Sequence, residues 1–473
     1  MIRTMALAWA LVLAGCAATP PPVPVPEPII VPAAQGVRLG LMVATLDGEP
    51  VFADKSNQRF IPASNTKLFT VAAVFHMMQG IDQPDPALGT SLQLVPGTDG
   101  GAPSLALVGA GDPALRDAAD CVSNCLHELA DAVVARGILR VRDVEADSSY
   151  FPEEPWGMGW SWNNLPFYFG APVSGLTVNG NAIALRVAPG GAEGEPVSAV
   201  WAAGDDLLGV RNEAVTSAPG SENLLSVLRW PGSDEVRLTG TLPADTAPRN
   251  YFLSVNDPAL AAAERLARLL TARGVVIEGG VNIRERTDMP PAEEIARLAP
   301  QPLLQSVIAV SEDSDNLAAE MLLRHVARAT GGEGAEDGLD AVNAMLDQAG
   351  IGRNEVELFD GSGLSPYNRV SPDGVVRFLT WTSQQPWGEQ FRATLPVGGQ
   401  TGSLARRFRG TPLDGRIFAK TGTVQGVNAL SGFLIAASGE TLVFSIIAND
   451  RPVDADPVLP VMDALLLEIA AAN

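Results

Sequence analysis

The stretch Ala63-Ser64-Asn65-Thr66-Lys67-Leu68-Phe69-Thr70-Val71-Ala72 places a serine three residues ahead of a lysine at the mouth of an apolar, periodic run. Leu68, Val71, Ala72, Phe75 and Met78 recur at three- and four-residue spacing, which predicts a helix over Asn65 to Gln79 with Gly80 as its stop and Ser64 at its N-terminus. One helical turn then puts Ser64 and Lys67 on the same face. A serine hydroxyl becomes a nucleophile when a base stands beside it, and an uncharged lysine is such a base. Desolvation and a second nearby cation let a lysine lose its proton near neutral pH, whereas an arginine stays protonated. The lysine census sharpens this. Only three lysines occur, Lys55, Lys67 and Lys420, and every other basic side chain is an arginine. Lys420 opens Lys420-Thr421-Gly422; Lys55 lies in no motif and reads as a solvated surface residue.

Between the two motif lysines stands Ser314-Asp315-Asn316. Alone, each of these short runs is common: an ordinary loop or turn. A histidine-based nucleophile has little support, because there is no Gly-x-Ser-x-Gly elbow and His76, His127 and His325 all fall in helix-like stretches. These histidines, far apart, and the three cysteines give poor material for a metal centre.

Working outward, Val37 to Thr45, the turn Asp47-Gly48 and Val51-Phe52 predict a β-hairpin. From about residue 86 to 285, Gly, Pro and Asp turns separate short strand-like runs such as Ala182 to Val187 and Asn223 to Leu228, interrupted by helical patterns at His127 to Arg136 and Ala259 to Arg273. Helical patterns return at Leu303 to Val310 and Leu317 to Ala329. Strand patterns follow at Ile417 to Thr423, Ser431 to Ala436 and Thr441 to Ala448, then a terminal helix. The expected organisation is one α/β (α+β) domain made of 37–85 and 286–473, with a β-rich insertion of one or two modules at 86–285.

The N-terminus reads as an export signal: Arg3, an apolar run from Met5 to Leu13 too short to span a bilayer, then Leu13-Ala14-Gly15-Cys16. That tetrad is similar to a lipobox, so residues 1–15 are expected to be cleaved and Cys16 to carry lipid, the alternative being an ordinary signal with an incidental cysteine. Residues 16–36, rich in proline, predict an extended tether to a membrane. Ala17 after the cysteine favours the inner face of the outer membrane, by resemblance to sorting signals. Cys121 and Cys125, four apart in an exported chain, suggest a small disulfide, with two thiols on one helix face as the alternative. With 54 acidic against 32 basic residues and a net charge of −22, nucleic acid is excluded as a partner.

Taken together and in this order, Ser64-Asn65-Thr66-Lys67, Ser314-Asp315-Asn316 and Lys420-Thr421-Gly422 resemble the penicillin-binding and β-lactamase-like transpeptidase fold. Ser314 follows Ser64 by 250 positions (314 minus 64). That is too far for a class A β-lactamase and is similar to the class C low-molecular-mass penicillin-binding proteins, the D-Ala-D-Ala carboxypeptidase/endopeptidase family. Gly109-Ala110-Gly111-Asp112-Pro113, Gly159-Trp160-Ser161-Trp162-Asn163-Asn164, Asp360-Gly361-Ser362-Gly363-Leu364-Ser365 and Gly402-Ser403-Leu404 carry the likeness across the chain.

The resemblance implies a cofactor-free periplasmic enzyme that trims peptidoglycan stem peptides and is acylated by β-lactams. Ser64 would attack, Lys67 would take its proton, and Ser314 would relay a proton to the leaving amine. Asn316 would hydrogen-bond Lys67 and the substrate, and Lys420 would hold Lys67 neutral by its charge. The N–H groups of Ser64 and Thr423 would form the oxyanion hole, with Thr421, Gly422 and Thr423 at the substrate carboxylate and Trp162 and Asn164 bordering the stem peptide. Asn164 stands where the family usually offers an aspartate to a substrate ammonium. Asp315 would shape its turn, and Asp360-Gly361-Ser362-Gly363 reads as a structural turn. The alternatives are a serine β-lactamase and a non-catalytic, lipid-anchored peptidoglycan-binding scaffold. Oligomeric state is not legible in the sequence.

Overall fold

A computed structural model describes residues 36–97, 100–118, 120–202, 206–284, 292–453, 455 and 457–473. The export signal, Cys16 and nearly all of the tether lie outside these residues. β1 (Arg38–Thr45) and β2 (Pro50–Asp54) form the expected hairpin. β3 (Ile417–Val424), β4 (Val427–Ile435) and β5 (Thr441–Asn449) come from the other end of the chain. All five share one antiparallel sheet in the order β2-β1-β5-β4-β3, with β1 paired to β5 from Arg38 opposite Asn449 to Thr45 opposite Leu442.

Strands β4 and β5 are buried nearly end to end because the sheet is covered on both faces. Alternation along each strand sorts the residues. Met42, Ala44, Phe433, Val443 and Ile447 meet α1 (Lys67–Met77), α2 (Leu303–Glu312), α3 (Asn316–Ala329), α4 (Ala335–Gln348) and α5 (Pro372–Ser383) in one core. Leu41, Val43, Leu430, Phe444 and Ile446 face the opposite way, against Met462, Leu465 and Ile469 of α6 (Leu459–Ala472). Two of these helices, α4 and α5, are absent from the sequence prediction. The start of α5 carried a readable signal: Ser371 accepts from the Gly374 N–H at 3.1 Å, and Pro372 takes the first helical position.

The middle of the chain builds separate sheets. Ser91–Val95, Ser104–Val108 and Val144–Asp147 form the centre of one, with the helices Leu126–Ala135 and Pro258–Ala272 sharing its core. Ala182–Ala188 pairs with Arg249–Ser254 and Ser198–Trp201 in a second. Glu293–Arg297, which the sequence assigns to the outer domain, pairs instead with Ser91–Val95, so the inserted structure runs past residue 285. Cys121 and Cys125 are joined by a disulfide. Among the described residues no helix is long and apolar enough to cross a membrane.

Candidate active site

The α-helix starts later than its apolar period suggests. Residues Ala63–Thr66 form a 3-10 turn, and α1 runs from Lys67 to Met77. Ser64 therefore sits in a tight turn ahead of the helix, with the preceding Ala63 at φ +48°. Two glycines hold that turn. A side chain on Gly363, itself at φ +85°, would stand 2.0 Å from the Ala63 carbonyl oxygen, and one on Gly422 would stand 2.7 Å from that of Pro62. Lys67, the first residue of α1, is wholly buried.

Lys67 Nζ lies 3.0 Å from Ser64 Oγ, 2.6 Å from Asn316 Oδ1 and 2.6 Å from the carbonyl oxygen of Ser362. Asn316 is fixed in turn, because its Nδ2 donates to the Phe169 carbonyl at 2.7 Å and so leaves Oδ1 toward the lysine. An ammonium would donate to all three oxygens. A neutral amine has two N–H bonds, which match the two carbonyl-type acceptors, and its lone pair is then left for the Ser64 hydroxyl. Burial pushes Lys67 down to about 8, against the opposing pull of Asp360, Asp315 and Glu320. Lys420 is buried as well and is also pushed down, first by desolvation and then by repulsion from Lys67. Burial is thus the first cause of the depression of both lysines, and the repulsion between the two ammoniums adds to it at Lys420.

The other predicted residues take varied places. Ser314 lines the cleft above Ser64, held at φ +62° at the turn into α3. Asp315 caps α3, accepting from the Ala318 N–H at 3.0 Å. Lys420 Nζ donates to the Thr421 carbonyl at 3.1 Å, and Thr421 Oγ1 to Ser403 Oγ at 2.7 Å. Strand β3 is the edge of the sheet. On its outer side Ala419 N–H donates to Pro396 O and Ile417 O accepts from Gly398 N–H, so by alternation the amides of Thr421 and Thr423 face the same open side. Thr423 reaches the cleft beside Ser64.

That cleft, about 970 Å³, runs between Ser64, Asn316 and Thr423 on one side and the middle of the chain on the other. Asn164 lines it, with Ser161, Asn163, Tyr168 and Phe169. Trp162 does not: it is half exposed and stacks on Trp230, ring centres 5.0 Å apart. Trp160 turns the other way, its Nε1 donating to Asp360 at 2.9 Å.

Several contributors escape the motif reading. Asp360-Gly361-Ser362-Gly363 is a turn, as expected, but it also presents the Ser362 carbonyl to Lys67. Asp360 organises it by accepting from Gly363 N–H, Ser365 N–H and Asn368 Nδ2. Beneath lies the buried pair of Glu320 and Arg324, 3.4 Å apart, whose signal in sequence was a pair of opposite charges four apart within an apolar helix. His325 is enclosed and pushed down to about 4 by burial, so it remains neutral, with Nε2 2.7 Å from the Gly111 carbonyl. Among the described residues no group of three or more acidic, cysteine or histidine side chains is disposed to hold a metal ion.

Comparison with known proteins identifies the fold and the family of the chain. A solved structure of penicillin binding protein 4 from Haemophilus influenzae superimposes with a TM-score of 0.78 at 23% identity, covering 92% of this chain and 95% of that one. The same protein complexed with a β-lactam gives 0.71 at 21% identity over 92% and 95%. A D-alanyl-D-alanine carboxypeptidase from an Actinomadura species is 35% identical over 456 residues, which cover 93% of this chain and 82% of that protein. Residues 27–468 match the model of the D-Ala-D-Ala carboxypeptidase 3 (S13) family, and the chain belongs to that family.

Proposed function

We propose that this chain is an exported, lipid-anchored serine D-alanyl-D-alanine carboxypeptidase that also cleaves D-alanyl cross-links in peptidoglycan, through an acyl-enzyme on Ser64. The observation that carries it is the disposition of Lys67 Nζ among Ser64 Oγ, Asn316 Oδ1 and the Ser362 carbonyl. The neutral lysine takes the hydroxyl proton as Ser64 Oγ bonds to the carbonyl carbon between two D-alanines. The resulting oxyanion lies between the N–H groups of Ser64 and Thr423. Collapse breaks the C–N bond, and the departing amine takes the proton back from Lys67 by way of the Ser314 hydroxyl. Water then attacks the ester, releasing the shortened peptide and restoring Ser64. Lys420 with Thr421 and Thr423 receives the terminal carboxylate, the charge of one cation serving both binding and the disfavouring of a second proton on Lys67.

A β-lactam presents the same carbonyl beside the same carboxylate, so it acylates Ser64 and stalls there. Family membership and the apolar run ending in Leu13-Ala14-Gly15-Cys16 support export and anchoring. The deciding experiment is incubation with a fluorescent penicillin followed by peptide mass analysis, with purified muropeptides as substrate in parallel. Label on Ser64 and release of D-alanine are expected; folded protein that takes no label sinks the reading. A short-lived penicilloyl-enzyme with rapid turnover would instead favour β-lactam hydrolysis.

A further inference from the structure

Two tryptophans beside the cleft stand half in water. Trp162 is 52% exposed and Trp230 is 60% exposed, and their rings lie nearly parallel, 13° apart in plane with centres 5.0 Å apart. Stacking spends one face of each ring on the other, so aromatic surface beyond the stack remains in solvent. Large apolar side chains held in water as a group, unlike a lone exposed leucine, mark a place where something docks.

Each ring sits on a loop fixed by its neighbours. On one side of Trp162, Trp160 Nε1 donates to Asp360 at 2.9 Å. On the other, Asn164 N–H closes a turn onto Ser161 O at 2.9 Å, and Phe167 N–H closes the next onto Asn164 O at 3.1 Å. Trp230 follows Arg229, which is buried and donates to the carbonyl oxygens of Ser233, at 2.9 Å, and Ser254, and to Asn256 Oδ1. The Trp230 carbonyl accepts from Ser233 N–H at 3.0 Å. The stack is therefore presented ready-made, and a ligand that binds it has little chain to order.

Placement names the occupant. Ser161 and Asn163 line the cleft that holds Ser64, while Trp162 between them does not, so the stack stands on the cleft rim. A stem peptide extended back from the scissile carbonyl spans about 3.3–3.6 Å per residue, and three or four residues carry its sugar end about 10–14 Å away. What arrives there is an N-acetylated pyranose. Its C–H groups form an apolar face that packs on the electron-rich face of an indole, and its hydroxyls accept from an indole N–H. An anionic lipid surface is the other candidate for exposed tryptophans, but it repels a chain of net charge −22, whereas the sugar carries no charge.

We propose that Trp162 and Trp230 form an aromatic platform that binds the N-acetylated sugar of the peptidoglycan strand to which the stem peptide is attached, so that the enzyme favours glycan-linked over free peptides. The proposal rests on the acyl-enzyme reading above and names a second part of its substrate.

The test compares a pentapeptide ending in D-Ala-D-Ala with the same pentapeptide carried on its N-acetylglucosaminyl-N-acetylmuramyl disaccharide, cleaved by wild type, Trp230→Ala, Trp230→Phe and Trp162→Ala. Acylation by fluorescent penicillin is followed alongside, and the peptide-free disaccharide is titrated against tryptophan emission. In wild type, kcat/KM for the disaccharide peptide is expected to exceed that for the free peptide about fivefold, chiefly through KM. The ratio should fall to about one in both Ala variants and largely persist in Trp230→Phe. Penicillin acylation should be little changed in the Trp230 variants, and the emission change on adding disaccharide should vanish in Trp230→Ala. A wild type without preference for the disaccharide peptide, or a preference that survives both Ala variants, overturns the proposal and leaves Ser64 chemistry standing. Equal loss of penicillin acylation in Trp230→Ala and Trp230→Phe marks a structural role and also overturns it. Binding to phosphatidylglycerol vesicles that Trp230→Ala abolishes, without any preference for the disaccharide peptide, assigns the platform to a lipid surface and overturns it as well. Wild-type protein that penicillin does not acylate overturns the acyl-enzyme reading, while the emission titration still decides for or against the platform.

Discussion

Glu320 grips the backbone of Ser362 from below: its Oε1 accepts from the N–H groups of Ser362 and Gly361, both at 2.9 Å, while the Ser362 carbonyl receives Lys67 Nζ at 2.6 Å. Oε2 faces Arg324. A buried ion pair on α3 thereby positions an acceptor for the base on α1. Replacing Glu320 by Ala removes the buried counter-charge of Arg324 and leaves it only the half-exposed carboxylate of Glu154 at 3.8 Å, a loss of about 3–5 kcal/mol in stability. The measurements are a denaturant unfolding curve and the penicillin acylation rate at a temperature where the variant is folded. Slower acylation by folded protein is expected; an unchanged rate would show that the Ser362 carbonyl does not need this support.

Lys67 separates charge from basicity. Lys67→Arg keeps a cation next to Ser64 but cannot take a proton, and Lys67→Met keeps the length without either. Both are expected to lose acylation by a factor of about 10²–10⁴. Should Lys67→Arg retain near wild-type acylation, the side chain is acting as a charge and not as a base.

The pH profile follows from the depressed lysine. With Lys67 at about 8, the neutral, reactive fraction falls tenfold for each pH unit below that value and saturates above it. The second-order acylation rate constant should therefore rise with unit slope from pH 6 and bend near pH 8. Stopped-flow acylation across pH 6 to about 9.5 checks this, and a flat profile contradicts it.

Asn316 donates to Phe169 O and accepts from Lys67. Asn316→Asp removes the donor and sets a carboxylate at the ammonium, which favours the charged lysine by about 1–3 pH units. Acylation near neutral pH should drop at least tenfold, and the bend in the profile should move upward. A loss of rate with no displacement of the bend would assign Asn316 to substrate contact alone.

Gly363 tests the seat of the nucleophile. With φ at +85° and the Ala63 carbonyl 2.0 Å from any added Cβ, Gly363→Ala must displace the turn that carries Ser64. A stability loss of about 2 kcal/mol or more is expected, with slower acylation. Calorimetry and labelling read the two effects, and an Ala variant of wild-type rate would mean that the turn yields without cost to the serine.

Ser64, Lys67, Asn316 and Lys420 could be named from the sequence because their chemistry is tied to residue type and to short, local spacing. A base that must lose a proton has to be Lys and not Arg, and a helix turn is a property of three or four residues. The hairpin at Arg38, the terminal strands and α1 and α3 were legible for the same reason: periodicity is local. Helix α5 announced itself only in its cap, and Trp162 carried a motif position but turned to Trp230 because stacking is settled by what the fold brings alongside.

Tertiary structure alone decided how the pieces act. The Ser362 carbonyl is a backbone group with no residue signature, and it reaches Lys67 across 295 positions. The depression of Lys67 comes first from its burial, a quantity that exists only once the sheet, α1 and α3 close around it. The sequence by itself determined which side chains could perform the reaction; the fold determined that the Lys67 amine is dry and that its nitrogen stands against the Ser64 hydroxyl, since burial and contact between distant segments arise only when the chain is folded.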